Sequence, residues 1–246
     1  MGRLFGAHAV WTALQAGRRS VEKLYTVAEG GGPPVRRIVA FARSQGIPVK
    51  VLDRRALGHL AGTTAHQGIV AQVAEVRYVE LEDLLGIARQ RREAPFLLIP
   101  DGVQDPRNLG ALVRTAEASG AHGVVIPKDR SAGLSPVAAK AAAGALEYLP
   151  LSRVTNIARA LDLLKGEGLW VYGADVAGGK PPHEVDLTMP LALVLGGEGR
   201  GLRPLVRSQC DLLLSLPMVG QVPSLNVSVA AGVIMYEVLR QRMQKP

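Results

Sequence analysis

Cysteine is almost absent from this chain. Among 246 residues there is one, Cys210, so an intramolecular disulfide is excluded and a reducing, cytoplasmic setting is expected. Histidine is sparse and scattered, at positions 8, 59, 66, 122 and 183. No pair stands at the helical spacing of metal ligands, and no metal site is expected. No apolar run approaches the ~20 residues of a membrane-spanning helix. The start, Met1-Gly2-Arg3-Leu4-Phe5-Gly6, lacks the apolar stretch of a signal peptide. It also has Gly6 where an N-myristoylation signal needs Ser or Thr. Aromatic residues are only 4% of the chain, so base stacking is not expected to dominate any contact with nucleic acid.

Acidic residues fall short of basic ones, 21 against 29, which leaves a net charge of +8 and a pI near 10.0. Such an excess suits a polyanionic partner, although a positive surface alone also explains it. Its distribution is uneven. Residues 1–75 hold 10 Lys and Arg against 4 Asp and Glu, whereas residues 94–246 hold 15 against 13. Phosphate contact and shape are therefore the expected means of binding, centred on the first third of the chain. With 48% apolar residues and a mean hydropathy of +0.15, the chain can build a substantial core.

Periodicity divides the chain. Residues 1–75 read as a small α/β domain, with helices over Ala7–Gln15 and Val35–Ser44 and strands over Lys23–Val27, Val49–Leu52 and Gly68–Val73. Residues 76–94 are polar, include a possible helix, and are taken as the linker. Residues 95–246 alternate short apolar runs with helical patterns. The runs are Phe96–Ile99, Gly123–Ile126, Leu169–Tyr172, Leu191–Leu195 and Leu212–Leu216. The helices are Leu109–Ser119, Pro136–Ala145, Ile157–Lys165 and Leu225–Arg242. This pattern predicts an α/β domain with a mainly parallel sheet, whose ligands bind beyond the carboxyl ends of the strands.

Three segments can carry chemistry. Asp101-Gly-Val-Gln-Asp-Pro-Arg-Asn-Leu-Gly-Ala-Leu-Val-Arg-Thr-Ala-Glu117 follows a strand and opens a helix. Asn108 suits the N-cap. Arg114 and Glu117 share a helix face, which fits an ordinary ion pair as well as a phosphate grip. Leu193-Val-Leu-Gly-Gly-Glu-Gly-Arg-Gly-Leu202 brackets Glu198 with glycines that permit close backbone approach. A tight turn explains it equally. Leu202 breaks the dinucleotide fingerprint, and the Gly-Lys-Ser/Thr of a P-loop is missing. In Leu214-Ser-Leu-Pro-Met-Val-Gly-Gln-Val-Pro-Ser-Leu-Asn-Val-Ser-Val-Ala-Ala-Gly232, Ser224 suits an N-cap and Asn226 a first turn. The helix that follows is apolar on nearly all sides and is expected to be buried.

Together these segments resemble the three motifs of the SpoU family of RNA ribose methyltransferases in order, spacing and nearly every polar residue. Gly6-Ala-His-Ala-Val10 and His66-Gln-Gly-Ile-Val-Ala71 resemble the ends of the accessory domain in its RlmB-type branch. The resemblance implies a ribosomal-protein-like RNA-binding domain followed by a trefoil-knot domain, in a homodimer with active sites at the subunit interface. It implies S-adenosylmethionine as cofactor, contacted at Gly196, Leu216 and Leu225. It places Asn108, Arg114, Glu198, Ser224 and Asn226 among the polar active-site positions. The implied reaction is methyl transfer to the ribose 2′-hydroxyl of a guanosine in large-subunit (23S) rRNA. A tRNA ribose methyltransferase and a non-catalytic RNA-binding assembly module are the alternatives.

Overall fold

Period-two alternation builds the first sheet. Its strands are β1 (Gly2–Phe5), β2 (Val21–Val27), β3 (Val49–Leu52) and β4 (Ile69–Val73), in the order β1-β4-β2-β3. The computed structural model describes residues 2–17, 19–28, 31–176, 178–198 and 201–244. Strand β4 pairs antiparallel with β1 and β2, and β2 pairs parallel with β3. Alternate residues serve opposite faces. Leu4, Leu24, Ile69, Ala71 and Val73 pack with Val10 and Ala13 of α1 (Ala7–Ala16) and with Val35, Ile38 and Ala42 of α2 (Pro33–Ser44). Phe5, Val27 and Val70 pack instead with Leu57 and Ala61 of α3 (Arg54–Ala61). Helix α2 starts on Pro33 and Pro34, whose fixed φ suits a first turn and whose missing N–H groups cost no bond there. Asp53 caps α3 by accepting from Ala56 N at 2.7 Å.

The chain divides into two units, one comprising Met1–Arg77 with Leu134–Tyr148, the other Tyr78–Gly133 with Leu149–Pro246. Segment 134–148 thus completes the first unit, although strands of the second unit flank it in sequence. It carries α6 (Pro136–Ala141) and a 3-10 turn over Ala145–Glu147. Lys140 Nζ donates to Ala65 O at 2.9 Å, and Arg19 forms a two-pronged ion pair with Glu147. The side chains of that pair are 11% and 1% exposed.

The second unit is built on six strands: β5 (Phe96–Asp101), β6 (Gly123–Pro127), β7 (Leu151–Val154), β8 (Trp170–Ala174), β9 (Leu191–Gly196) and β10 (Leu212–Leu214). Their order is β10-β8-β9-β5-β6-β7 and all pair parallel. Every residue of β5 is buried, as a central strand covered on both faces requires. Around the sheet lie α4 (Leu81–Arg91), α5 (Pro106–Ala118), α7 (Ile157–Gly166), α8 (Pro204–Ser208) and α9 (Val227–Gln244). Arg242 fastens the end of α9, donating to Ala94 O at 2.6 Å, Met189 O at 3.0 Å and Pro95 O at 3.1 Å.

Several expectations differ from this structure, among them the place of residues 134–148, which were expected in the second domain. The 76–94 segment contains α4, whose Leu81, Leu84 and Leu85 belong to the core of the second unit. That helix lies so close to the sheet that a Cβ on Gly123 would fall 2.6 Å from Leu84. The break between units accordingly falls after Arg77 rather than across residues 76–94. Helix α5 starts at Pro106, with Asp105 rather than Asn108 as its cap. Helix α9 starts at Val227, where Asn226 rather than Ser224 accepts from Ser228 N at 2.9 Å. Nor is α9 buried all round. Ala231, Ile234, Met235 and Val238 face the core, but Val229, Val233 and Tyr236 are each about half exposed. Strands β1 and β7 and helices α3 and α8 were not foreseen, being only four to eight residues long.

Removing Arg19 strands a carboxylate that has almost no access to water. Arg19→Ala should therefore cost about 3–5 kcal/mol of stability. Arg89→Ala breaks the exposed pair with Glu167 and should cost less than about 1 kcal/mol. Denaturant unfolding of both variants against the parent checks the contrast. Equal costs would show that the Arg19–Glu147 pair is not a structural tie.

Candidate active site

Strand register brings the chemistry together. Asp101 pairs with Gly196, Leu195 with Ala174, and Ala174 with Leu214, so the carboxyl ends of β5, β9, β8 and β10 are level. Past them the chain turns through Gly196 and Gly197, which are packed directly against backbone. A Cβ on Gly196 would sit 2.2 Å from Gly201 C, and one on Gly197 would sit 2.4 Å from Gly102 O. Any larger residue at either place must push main chain aside. Beneath this turn, Asp101 is buried and ion-paired with Arg203, whose Nε donates at 3.1 Å. The Asp101 carboxylate raises the pKa of the Arg203 guanidinium, chiefly through that hydrogen bond.

A cleft of about 750 Å³ opens beside the turn. Gly196, Leu216 and Leu225 all line it, as do Glu198, Ser224 and Asn226. Leu195, Leu214 and Ile234 supply further apolar wall, and Asp175 and Arg207 form a polar edge, joined at 2.8 Å. The volume lies within the range of small-molecule sites, and an apolar slot with few polar groups is their usual chemistry.

A directed chain of hydrogen bonds runs along one side. A backbone N–H can only donate, so Ser228 N fixes the oxygen of Asn226 toward itself. The Asn226 amide nitrogen then donates to Asn108 Oδ1 at 3.1 Å, and the Asn108 nitrogen donates to Glu198 Oε1 at 2.5 Å. Donors and acceptors thus alternate in one sense and end on a carboxylate, an arrangement that polarises each member. Residues from all three sequence segments take part.

Two predicted residues behave differently. Arg114 is exposed on α5, does not line the cleft, and makes no ion pair with Glu117 or with any other of the described residues. Ser224 lines the cleft with its hydroxyl unpartnered among the described residues. Asp101, Asp175, Arg203 and Arg207 were missed, because pairs 102 and 32 residues apart leave no local pattern. Asp175 carried one weak signal, a lone carboxylate directly after an apolar strand. Burial pushes the Cys210 thiol up to about 11, and it donates to Val206 O. Among the described residues no cluster of His, Cys, Asp and Glu could hold a metal ion, and no helix is long and apolar enough to cross a membrane.

A parallel sheet whose level strand ends carry a glycine-floored apolar cleft has the architecture of an α/β domain that binds a small molecule beyond its strand ends. The sequence profile of the SpoU rRNA methylase family matches residues 95–236, and that of the RNA 2′-O ribose methyltransferase substrate-binding domain matches residues 3–79. The chain belongs to the SpoU rRNA methylase family. It is 46% identical over 239 residues to the putative TrmH family tRNA/rRNA methyltransferase YacO of Bacillus subtilis, covering 97% of this chain and 95% of that protein. It is 44% identical over 239 residues to the 23S rRNA (guanosine-2′-O-)-methyltransferase RlmB of Coxiella burnetii, with the same two coverages. Among solved structures, the SpoU methyltransferase AviRb of Streptomyces viridochromogenes, in complex with the cofactor AdoMet, superposes with a TM-score of 0.82 at 26% identity, covering 99% of this chain and 91% of that one. The family uses S-adenosylmethionine, and this chain is an S-adenosylmethionine-dependent RNA 2′-O-ribose methyltransferase.

Gly196→Ala forces a methyl group into main chain at the cleft floor and should weaken S-adenosylmethionine binding at least about 100-fold. Gly86→Ala, in α4 where a Cβ meets nothing within 4 Å, is the control and should bind normally. Isothermal calorimetry on both checks this. Unchanged affinity in Gly196→Ala would remove the cleft as the cofactor site.

Proposed function

We propose that this enzyme methylates the ribose 2′-hydroxyl of a guanosine in 23S rRNA. The observation that carries the reading is the convergence of Gly196, Leu216, Leu225, Glu198 and Asn226 on one cleft. The RNA is argued from the relatives. RlmB proteins of Coxiella burnetii and of Pseudomonas putida are 44% and 42% identical and covered over 95% and 98% of their length. A tRNA-modifying TrmH/SpoU structure from A. aeolicus, by contrast, covers only 67% of this chain. One cysteine and an rRNA substrate together favour the cytoplasm.

S-adenosylmethionine supplies a methyl group already activated on a sulfonium. The protein must align the ribose oxygen with that carbon, so that the O–C bond forms as the S–C bond breaks to leave a neutral thioether, and must let the hydroxyl proton pass to the adjacent phosphate or to water; alignment alone can contribute roughly 7–11 kcal/mol. Backbone groups at Gly196, Leu216 and Leu225 hold the donor. Glu198 orients Asn108, while Ser224 and Asn226 fix the loop and position the ribose. Arg114 grips the adjacent phosphate with its planar fork and stabilises the developing alkoxide.

The exposed position of Arg114, away from its own cleft, supports a homodimer in which it serves the partner's site. Val229, Val233 and Tyr236 form an unpartnered apolar stripe on α9, which packs against α5, the helix that carries Arg114. A second copy seated on that stripe covers apolar surface and brings an arginine with it.

Tritiated methyl transfer to separated rRNA and tRNA, followed by nucleotide mapping, should label large-subunit rRNA as 2′-O-methylguanosine. Label confined to tRNA moves the assignment to the tRNA enzymes, and absent cofactor binding in calorimetry moves it to a non-catalytic module. Arg114→Lys should keep RNA affinity within about threefold and lose most turnover; near-normal turnover refutes the geometric role. Val233→Glu should give a monomer in sedimentation with turnover reduced at least about tenfold. An unchanged dimer would show that the stripe is not the interface.

A further inference from the structure

The first unit has a cleft of its own. About 770 Å³ in volume, it opens between the first turn of α1 and the start of α2, with His8 and Trp11 on one side, Pro33, Pro34 and Arg37 on the other, and Gln67 at the end. The few aromatic side chains of the chain are used with economy here. Trp11 packs edge-on against Phe41 with ring centroids 5.2 Å apart, and the Arg37 guanidinium lies 4.7 Å from the Trp11 centroid. Among the described residues Arg37 has neither a carboxylate nor a hydrogen-bond partner. Gln67 accepts from Ala7 N through Oε1 at 2.9 Å. Among the described residues its amide nitrogen, with two donors, has no partner.

Flat apolar faces, a stacked guanidinium and a free amide form the chemistry that receives an unstacked nucleobase with its phosphate. The charge agrees: residues 1–77 and 134–148 hold 12 Lys and Arg against 5 Asp and Glu, and among the described residues no acidic one lines the cleft. We infer that this cleft is a base-capture subsite, which takes one unpaired nucleotide of the RNA, the base against the Trp11 and proline faces and the phosphate on Arg37. The inference rests on the RNA-methylating reading of the whole chain and adds a specific anchor to it. Stacking, expected from composition to be minor, is concentrated at this one place.

The test uses the full-length protein and a 4-thiouridine-substituted 23S rRNA transcript. Arg37→Gln, an exposed change, and Trp11→Leu should each raise Kd and the KM for RNA roughly tenfold. The kcat should stay within twofold and S-adenosylmethionine affinity should be unchanged. In salt titrations Arg37→Gln should lower the slope of log K by about one, whereas Trp11→Leu should leave it unaltered. Cross-links in the parent protein should map to residues 7–11 or 33–38. Such cross-links without methyl transfer would sustain the subsite while the proposed function fails. Methyl transfer with parental Kd in both variants, or with cross-links only elsewhere, overturns the subsite alone. Displacement of the transcript by a polyproline peptide would also overturn it, in favour of a protein ligand.

Discussion

The active site depends on main chain lying against main chain. At Gly196 and Gly197 the loop after β9 touches residues 201–202 and Gly102 with no side chain between them. This contact lets three chain segments meet at the level ends of parallel strands, and it leaves backbone groups at the cleft floor. Such a floor recognises a ligand by shape and by peptide polarity, which is why its residue identities look uninformative. The glycines do not act because they are flexible here; they act because any Cβ would occupy space already filled by peptide.

Around that contact the polar residues divide their labour. Asp101 is buried and cannot reach a ligand, but its pairing with Arg203 ties the strand end to the start of α8. A buried carboxylate satisfied by a two-pronged guanidinium is costly to break and therefore a firm tie. The amide series from Ser228 through Asn226 and Asn108 to Glu198 lies at the cleft itself. Its sense is set by a backbone donor at one end and a carboxylate at the other. Reversing either amide would oppose donor to donor, so the two asparagines have one satisfied arrangement.

Much of this was legible in the sequence. The five apolar runs of the second unit are all strands, because strands buried on both faces announce themselves as continuous hydrophobic stretches. Gly196 lies in one segment and Leu216 and Leu225 in another, and only their resemblance to family motifs joined them in advance. Helix starts were misplaced by two or three residues: proline at 106 and an exposed loop through 225 set the true caps, and both outweighed the capping preference of Asn108 and Ser224. The ion pairs of Asp101 and Asp175 were illegible, since nothing local marks a partner far along the chain. The half-exposed face of α9 was read as buried because an apolar helix looks the same whether core or another molecule covers it.

Segment 134–148 bears on how such a protein can be taken apart or evolve. The amino-terminal unit is not a bead threaded before the catalytic one, since part of its own fold is encoded between β6 and β7. A gene fragment ending near residue 77 lacks the glutamate that neutralises Arg19 and Gly144, whose missing side chain leaves room for Thr12. Recombination that swaps the front domain for another must therefore revise a segment some sixty residues downstream at the same time. Inheritance of the two halves is coupled by that borrowed piece, and homologous replacement should succeed only when both parts come from the same parent.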